Sequence, residues 1–404
     1  MKQPTALISG AGVAGPTLAY WLARRGFAVT VVERAAGLRS SGYPVDVRAT
    51  AWEVVERMGL LAALREASTT ARHVQIVDAA GRSVARIPLE GVQGADGRWV
   101  ELPRGTLAAL LYGAARDDAE FVFGDGVTAL DQDAAGVDVT FERAAPRRFD
   151  VVVGADGLHS AVRRLAFGPE RDLLRHLGLY VATLFLDEAP DPDGDVLIYN
   201  TPGRALAVHP ATGRPGVAFL FRSPRVSGLD PRDAAQHRRL VTAAFAGGGW
   251  RTPELLDRVH ASGEDLYFDA AAAVHLPHWS TGRVGLLGDS AAAASFLGDG
   301  SSLALAGAAT LAEELTADPG DPAAALRRYE ARHRTRTDPV QRQVDRGSRI
   351  LIPATTTGIA VRNIGARAFA TAGSARRLAA DALGFGTDRG TGQPAPPVRR
   401  GRLG

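Results

Sequence analysis

The feature that most constrains this chain is a glycine turn set between two apolar strands near its N-terminus. Thr5-Ala-Leu-Ile-Ser9 is short and apolar, as a buried parallel strand reads. Gly10-Ala-Gly-Val-Ala-Gly15 follows, and Pro16-Thr-Leu-Ala-Tyr-Trp-Leu-Ala-Arg-Arg25 then carries a helical pattern that stops at Gly26. A second strand, Phe27-Ala-Val-Thr-Val-Val32, ends at Glu33. In such a unit Gly10 permits the tight turn, Gly12 lets backbone approach a pyrophosphate, and Gly15 lets helix pack on strand. The helix N-terminus offers N–H groups and a positive dipole end to phosphates. Glu33 stands where a ribose hydroxyl needs an acceptor. A lone G-x-G-x-x-G is weak, but here the whole β-α-β unit is present. It predicts a dinucleotide site without saying which dinucleotide.

Composition removes other classes. The 404 residues suffice for two or three domains, and 46% hydrophobic with 23% charged residues is ordinary for a soluble globular protein. Cysteine is absent, which excludes disulfides, thiolate catalysis and cysteine-ligated metals. The N-terminus shows no secretory pattern and no stretch is long enough to span a membrane, so a cytoplasmic location is expected. No metal site is expected. The pI near 9.5 comes from a net charge of only +3, and Lys2 is the only lysine. Basic residues lie scattered among acidic ones without a stripe, so a nucleic-acid partner is not expected.

Along the chain, a Ser/Gly/Pro-rich loop at 39–47 precedes a helix at 51–58, with Asp46 and Arg48 at the mouth between them. Residues 74–77 and 83–87 alternate apolar with polar around Ala80-Gly81, as a hairpin does. Arg104 opens a helix, where a cation opposes the dipole; such a conflict can mark a functional position. Runs at 121–123, 126–130, 137–141 and 149–154 read as strands. The block 170–275 adds several more, with a helical segment at 231–245, as a substrate-covering sheet would. His209 and Tyr199 in this block are possible substrate contacts, though spacing alone gives no constellation. Further helices are expected from Ser302 to Leu315, at 322–349 and at 357–383, and a Gly/Pro/Arg-rich tail from 384 reads as disordered.

Two more sites come directly after buried strands. Asp156-Gly157-x-x-Ser160-x-x-Arg163 succeeds the 149–154 strand, at the kind of edge where open α/β sheets bind ligands. Ser160 can cap the segment after it. Gly288-Asp289 comes after Arg283-Val-Gly-Leu-Leu, ahead of Gly298-Asp-Gly300 and a helix. Asp289 could accept from a sugar-like hydroxyl, and the Gly298 and Gly300 amides could meet an anionic ring edge.

With these three motifs in this order, the chain resembles the para-hydroxybenzoate-hydroxylase-type flavoprotein monooxygenases over most of residues 4–330. Its short length and its Asp46…Arg104 arrangement look most like the tetracycline-inactivating and antibiotic-pathway branch. The resemblance implies an α/β fold: a glutathione-reductase-like FAD-binding domain at 1–70, 100–168 and 280–330. A sheet-rich substrate domain would be inserted at 71–99 and 169–279, with C-terminal helices at 331–383. It implies tightly bound, non-covalent FAD, with NADPH or NADH as a transient co-substrate. Gly10, Gly12, Ala14 and Gly15 would cradle the pyrophosphate, Glu33 would hold the adenosine ribose, and Arg34 would flank the adenine. Asp46 and Arg48 would lie near the isoalloxazine, and Arg104 would contact the FAD phosphate or ribityl region. Asp156 would sit near the pyrophosphate and the NADPH path, Asp289 on the ribityl hydroxyls or phosphate, and Gly298 and Gly300 at the flavin pyrimidine edge.

The implied reaction is oxygen transfer from a flavin C4a-hydroperoxide to an aromatic or polycyclic small molecule, most simply hydroxylation, by a monomer or weak homodimer. The chain lacks the His and Pro that the family often places after the Asp289 position. Ser290-Ala-Ala-Ala-Ala-Ser295 stands there instead. That departure keeps a redox-neutral FAD-bound cyclase or isomerase, or a non-catalytic flavoprotein partner, as alternatives. No catalytic residue is singled out.

Overall fold

Five strands that are apolar along most of their length form the centre of the molecule. Val284–Leu286, Val151–Gly154, Thr5–Ser9, Ala28–Glu33 and Glu120–Phe123 lie side by side and parallel, with Ser280–Thr281 added antiparallel at one edge. Every residue of Val151–Gly154 and of Val284–Leu286 is buried, which is why these strands show no polar alternation. Thr5–Ser9 has Ala28–Glu33 on one side and Val151–Gly154 on the other, so the chain departs from it in both directions. The crevice outside the carboxyl ends at such a point is where ligands bind in open sheets. The computed structural model describes residues 2–38, 44–89, 97–186, 194–210, 215–230, 233–263, 265–293 and 299–382. Gly298 and the tail from 384 lie outside the described residues.

The stretch 149–154 is not one strand. Arg147–Phe149 joins a small antiparallel sheet with Val137–Phe141 and Val127–Gln132, whereas Val151–Gly154 enters the central sheet. The break falls at Asp150, whose carboxylate accepts both the N–H and the hydroxyl of Thr5 at 2.7 Å. A polar side chain pinned to the neighbouring strand turns the backbone from one sheet to the next.

A seven-stranded sheet stands beside this core in the order Tyr267–Val274, Leu174–Phe185, Gly216–Arg222, Arg204–His209, Val196–Thr201, His73–Val77, Ser83–Pro88. Helices Ala234–Phe245 and Thr252–Ala261 cover one face of it, with Phe219, Phe221, Phe245 and Leu255 in the contact. Asp233 caps the first by accepting from the Gln236 N–H at 2.8 Å. The second is hidden in the sequence by Pro253, which reads as a breaker. Within the first turn, however, its missing N–H costs nothing.

Helix Asp299–Ala317 runs almost wholly buried against the glycine-turn helix, Ala14–Ala23. Pro322–Leu351 packs on it, and Thr356–Ala382 leans on Ser83–Pro88 through Ala366. A two-stranded antiparallel ribbon, Pro44–Arg48 with Trp99–Pro103, lies against the start of Asp299–Ala317.

Candidate functional site

The glycine turn is tight enough that two of its three glycines are sterically compulsory. Gly10 has φ +109°, and a Cβ there would stand 2.5 Å from the Ala155 carbonyl oxygen. A Cβ on Gly15 would stand 1.9 Å from the Gly10 carbonyl oxygen. Gly12 differs: a Cβ there meets nothing within 4 Å, so its surface faces open space. Glu33 accepts the Ala11 N–H on one oxygen at 2.9 Å and the Ala35 N–H on the other at 2.8 Å. Each oxygen keeps a lone pair for a further donor. Arg34 beside it is exposed. Ala14 is buried, and a Cβ on Gly288 would lie 3.3 Å from the Ala14 Cβ, so the first and third motifs are in contact.

The second motif lies between them. Asp156 takes hydrogen bonds on one oxygen from the Ala161 N–H at 2.8 Å, the Val162 N–H at 3.2 Å and the Ser9 hydroxyl at 3.3 Å. Its other oxygen accepts the hydroxyls of Ser160 and Ser290. The carboxylate thereby satisfies the N-terminus of helix Ala161–Phe167, with Ser160 capping it by accepting from the Arg163 N–H. Arg163 is fully buried and donates to the carbonyls of Ser290 and Leu158. Asp156 is thus engaged by protein donors, at the back of the glycine turn.

Asp289 is the opposite case. It opens the short helix Asp289–Ala292 directly after the Val284–Leu286 strand, and its carboxyl has no hydrogen-bond partner among the described residues. Burial raises its pKa, and the Arg104 guanidinium is the cation that opposes the rise. Asp289 is half-buried, and a partly desolvated carboxyl without a donor is a natural acceptor for a ligand hydroxyl. Open space over Gly12, a donor-seeking Asp289 within the electrostatic reach of Arg104 and spare lone pairs on Glu33 together match the phosphates and hydroxyls of FAD. The residues fit the cofactor that the motifs imply.

A third group of side chains gathers on the ribbon. Arg48 forms a salt bridge with Asp299, its Nε 2.9 Å from the carboxylate, and its backbone N–H donates to the Ser302 hydroxyl at 3.1 Å. Ser302 in turn donates to the Asp46 carbonyl at 3.0 Å. These bonds tie Asp46 and Arg48 to the first turn of the helix that carries Gly300. The next residue, Ala49, has φ 52°, a left-handed conformation that an alanine adopts only under constraint. The Asp46 carboxyl accepts the Trp99 indole N–H at 2.9 Å. Burial, above all, pushes its pKa up to about 6; Glu101 and Asp299 add to this, and Trp99 and Arg48 oppose it.

Glu101 and Trp99 escape a reading by motif, yet the alternation in Trp99-Val-Glu-Leu-Pro103 holds the signal. Val100 and Leu102 enter the core, so Trp99 and Glu101 share the other face. Glu101 accepts the Thr69 hydroxyl at 2.7 Å and lies 2.8 Å from the His209 Nε2. Burial disfavours its ionised form, but His209 and Thr69 outweigh that and hold its pKa below the ordinary glutamate value. His209 is therefore brought to the ribbon. Tyr199 is not: it lies buried in the cluster under the two covering helices, 6.0 Å from the Trp250 ring. Among the described residues no group of His, Asp and Glu could hold a metal ion, and no helix is long and apolar enough to cross a membrane.

Comparison with known proteins identifies the family and the fold. The family model of the FAD binding domain matches residues 3–346. An uncharacterized protein of Mycobacterium tuberculosis is 40% identical over 337 residues, covering 81% of this chain and 89% of that protein. A flavin-dependent monooxygenase of Legionella longbeachae is 32% identical over 346 residues, covering 84% of this chain and 88% of its own. Among solved structures, the tetracycline destructase Tet(51) superposes with a TM-score of 0.77 at 28% identity, over 91% of this chain and 96% of that one. A family match over most of the chain, a relative at 32% identity and a shared fold point one way: the chain belongs to the FAD-binding-domain family, among its flavin-dependent monooxygenases.

Proposed function

We propose that the protein uses NADPH or NADH and dioxygen to hydroxylate an aromatic or polycyclic small molecule, with FAD held non-covalently in the crevice of the central sheet. The observation that carries this reading is Asp289, a half-buried carboxyl with no protein donor among the described residues, placed at the carboxyl edge of the sheet within the electrostatic reach of Arg104. In this reading Gly10, Gly12, Ala14 and Gly15 line the pyrophosphate, and Glu33 takes the ribose with Arg34 at the adenine. Asp289 and Arg104 hold the ribityl and phosphate part, and Asp46, Arg48, Gly298 and Gly300 border the flavin ring. Asp156 orders the pyrophosphate wall from behind.

Segments 1–70, 100–168 and 280–330 carry the cofactor, 71–99 and 169–279 cover the substrate, and 331–383 close the molecule. Bound flavin supplies the electron transfer and oxygen activation; the protein binds, orients and excludes water. The polycyclic substrate class is supported by the likeness to a tetracycline destructase.

The test is direct. The purified protein should be yellow and should consume NADPH in an oxygen-dependent manner that candidate substrates stimulate. Flavin that stays oxidised under anaerobic conditions, with excess NADPH and substrate present, would sink the proposal.

A further inference from the structure

Asp46 and Glu101 are opposed residues in the register of the Pro44–Arg48 and Trp99–Pro103 ribbon, and Arg48 is opposed to Trp99. Opposed residues share a face, with Cβ atoms about 5 Å apart. One face of the ribbon therefore displays Asp46, Arg48, Trp99 and Glu101, while Val47, Val100 and Leu102 fill the core behind it. Two carboxyl groups directly opposite one another destabilise a ribbon when both are charged. Arg48 relieves the conflict only in part, because its guanidinium is engaged by Asp299.

The surroundings resolve the conflict unequally. Glu101 is anchored as an anion by His209 and Thr69, and its side chain is only 14% exposed. Asp46 accepts one bond, from Trp99 on Oδ1, and its Oδ2 has no hydrogen-bond partner among the described residues. Carboxyl groups whose environments drive their protonation apart are the arrangement in which one carries a proton that can be exchanged.

We propose that Asp46 is the proton-exchanging group of the site, held beside the fixed charge of Glu101, and that it serves a neutral hydroxyl-bearing ligand, a phenol or an enol. The inference rests on the monooxygenase reading above. In the step it performs, the ligand O–H bond breaks and its electron pair stays on the ligand oxygen. The proton passes to Asp46 Oδ2, while Trp99 continues to donate to Oδ1. Glu101, His209, Thr69 and Trp99 are positioning residues. Because Glu101 and Asp299 are both near the acceptor and only Arg48 opposes them, an acid anion is repelled where a neutral hydroxyl is welcomed.

Infrared titration of the yellow holoprotein reads the proposal without turnover. A protonated-carboxyl band should grow as pH falls through about 6. It should vanish in Asp46→Asn and move to lower pH in Glu101→Gln, where the neighbouring negative charge is gone. Excess phenol should lower the midpoint, since a hydroxyl donating to the ionised carboxyl favours that form, and excess benzoate should not. A missing band, a band that survives Asp46→Asn, a midpoint indifferent to Glu101→Gln, or one indifferent to phenol each overturns the inference. A colourless protein that consumes no NADPH overturns the monooxygenase reading instead; a yellow, NADPH-consuming protein without this titration overturns the Asp46 assignment alone.

Discussion

The Ser290 hydroxyl donates to the Asp156 carboxylate at 3.1 Å and accepts the Gly157 N–H at 2.8 Å, so one small side chain fastens the third motif to the second. Ser290 is fully buried, and its carbonyl receives the buried Arg163. Replacing it by alanine removes a donor and an acceptor at a fully buried position. Ser290→Ala should lower stability by about 1–3 kcal/mol, the cost of leaving buried partners unpaired. Urea unfolding of the flavin-free protein measures this, and an unchanged midpoint would show that the contact contributes nothing.

Gly12 and Gly15 should separate binding from folding. Gly15→Ala drives a methyl into the Gly10 carbonyl, a backbone atom that cannot step aside, and should cost about 3 kcal/mol of stability whether or not flavin is present. Gly12→Ala meets no protein atom and should leave the flavin-free protein as stable as before. Its methyl points into the space assigned to the pyrophosphate, so flavin affinity should fall. Thermal unfolding with and without FAD distinguishes the two; equal behaviour would refute the placement of the turn.

For Asp289 the sign of the effect comes from its lack of a protein partner. Asp289→Ala leaves no group in the protein unpaired, so stability of the flavin-free form should hold or rise. Flavin retention should weaken by about 1–3 kcal/mol, roughly five- to 150-fold in Kd. Fluorescence of released flavin on dilution gives the number, and full retention at limiting FAD would remove Asp289 from the site.

His159 provides a pH dependence. Its ring bridges Asp269 on the large sheet at 3.1 Å and Glu170 at 2.9 Å, which raises its pKa to about 9 against an ordinary 6.5. A raised value in the folded state means stabilisation that is fully present below about 6.5 and is lost as pH rises through about 9. The side chain is 42% exposed, so solvent screening keeps the effect modest. In His159→Gln the fall in stability between pH 6.5 and 9 should be shallower than in the parent. Parallel slopes in denaturant titrations across that range would rule the clasp out.

Much of the central sheet could be read from sequence because its strands are apolar in unbroken runs and its glycine turn obeys steric rules that tolerate no substitute at Gly10 and Gly15. The three motifs were legible for the same reason, each being a local turn with its own residues. The ribbon was not. Glu101 acquires its meaning from Thr69, His209 and Asp46, which lie in three other segments, and no local rule encodes such a meeting. Asp156 shows the converse. Its place after a buried strand is visible in sequence, but the count of protein donors around it depends on Ser9 and Ser290, far away in the chain.

The seat proposed for the cofactor joins Thr5–Ser9, Val151–Gly154 and Val284–Leu286, strands far apart in sequence, and so it can form only after all three have been made. The glycine turn is synthesised before the other segments, but its floor needs Val151–Gly154, and the rim proposed for the cofactor needs Asp289 and the helix beginning at Asp299. A nascent chain halted before residue 284 lacks the strand that positions Asp289. It would carry a glycine turn open to water and an apolar sheet edge without its neighbour. On this placement, flavin capture has to wait for Val284–Leu286, and a product truncated before that strand should not retain flavin.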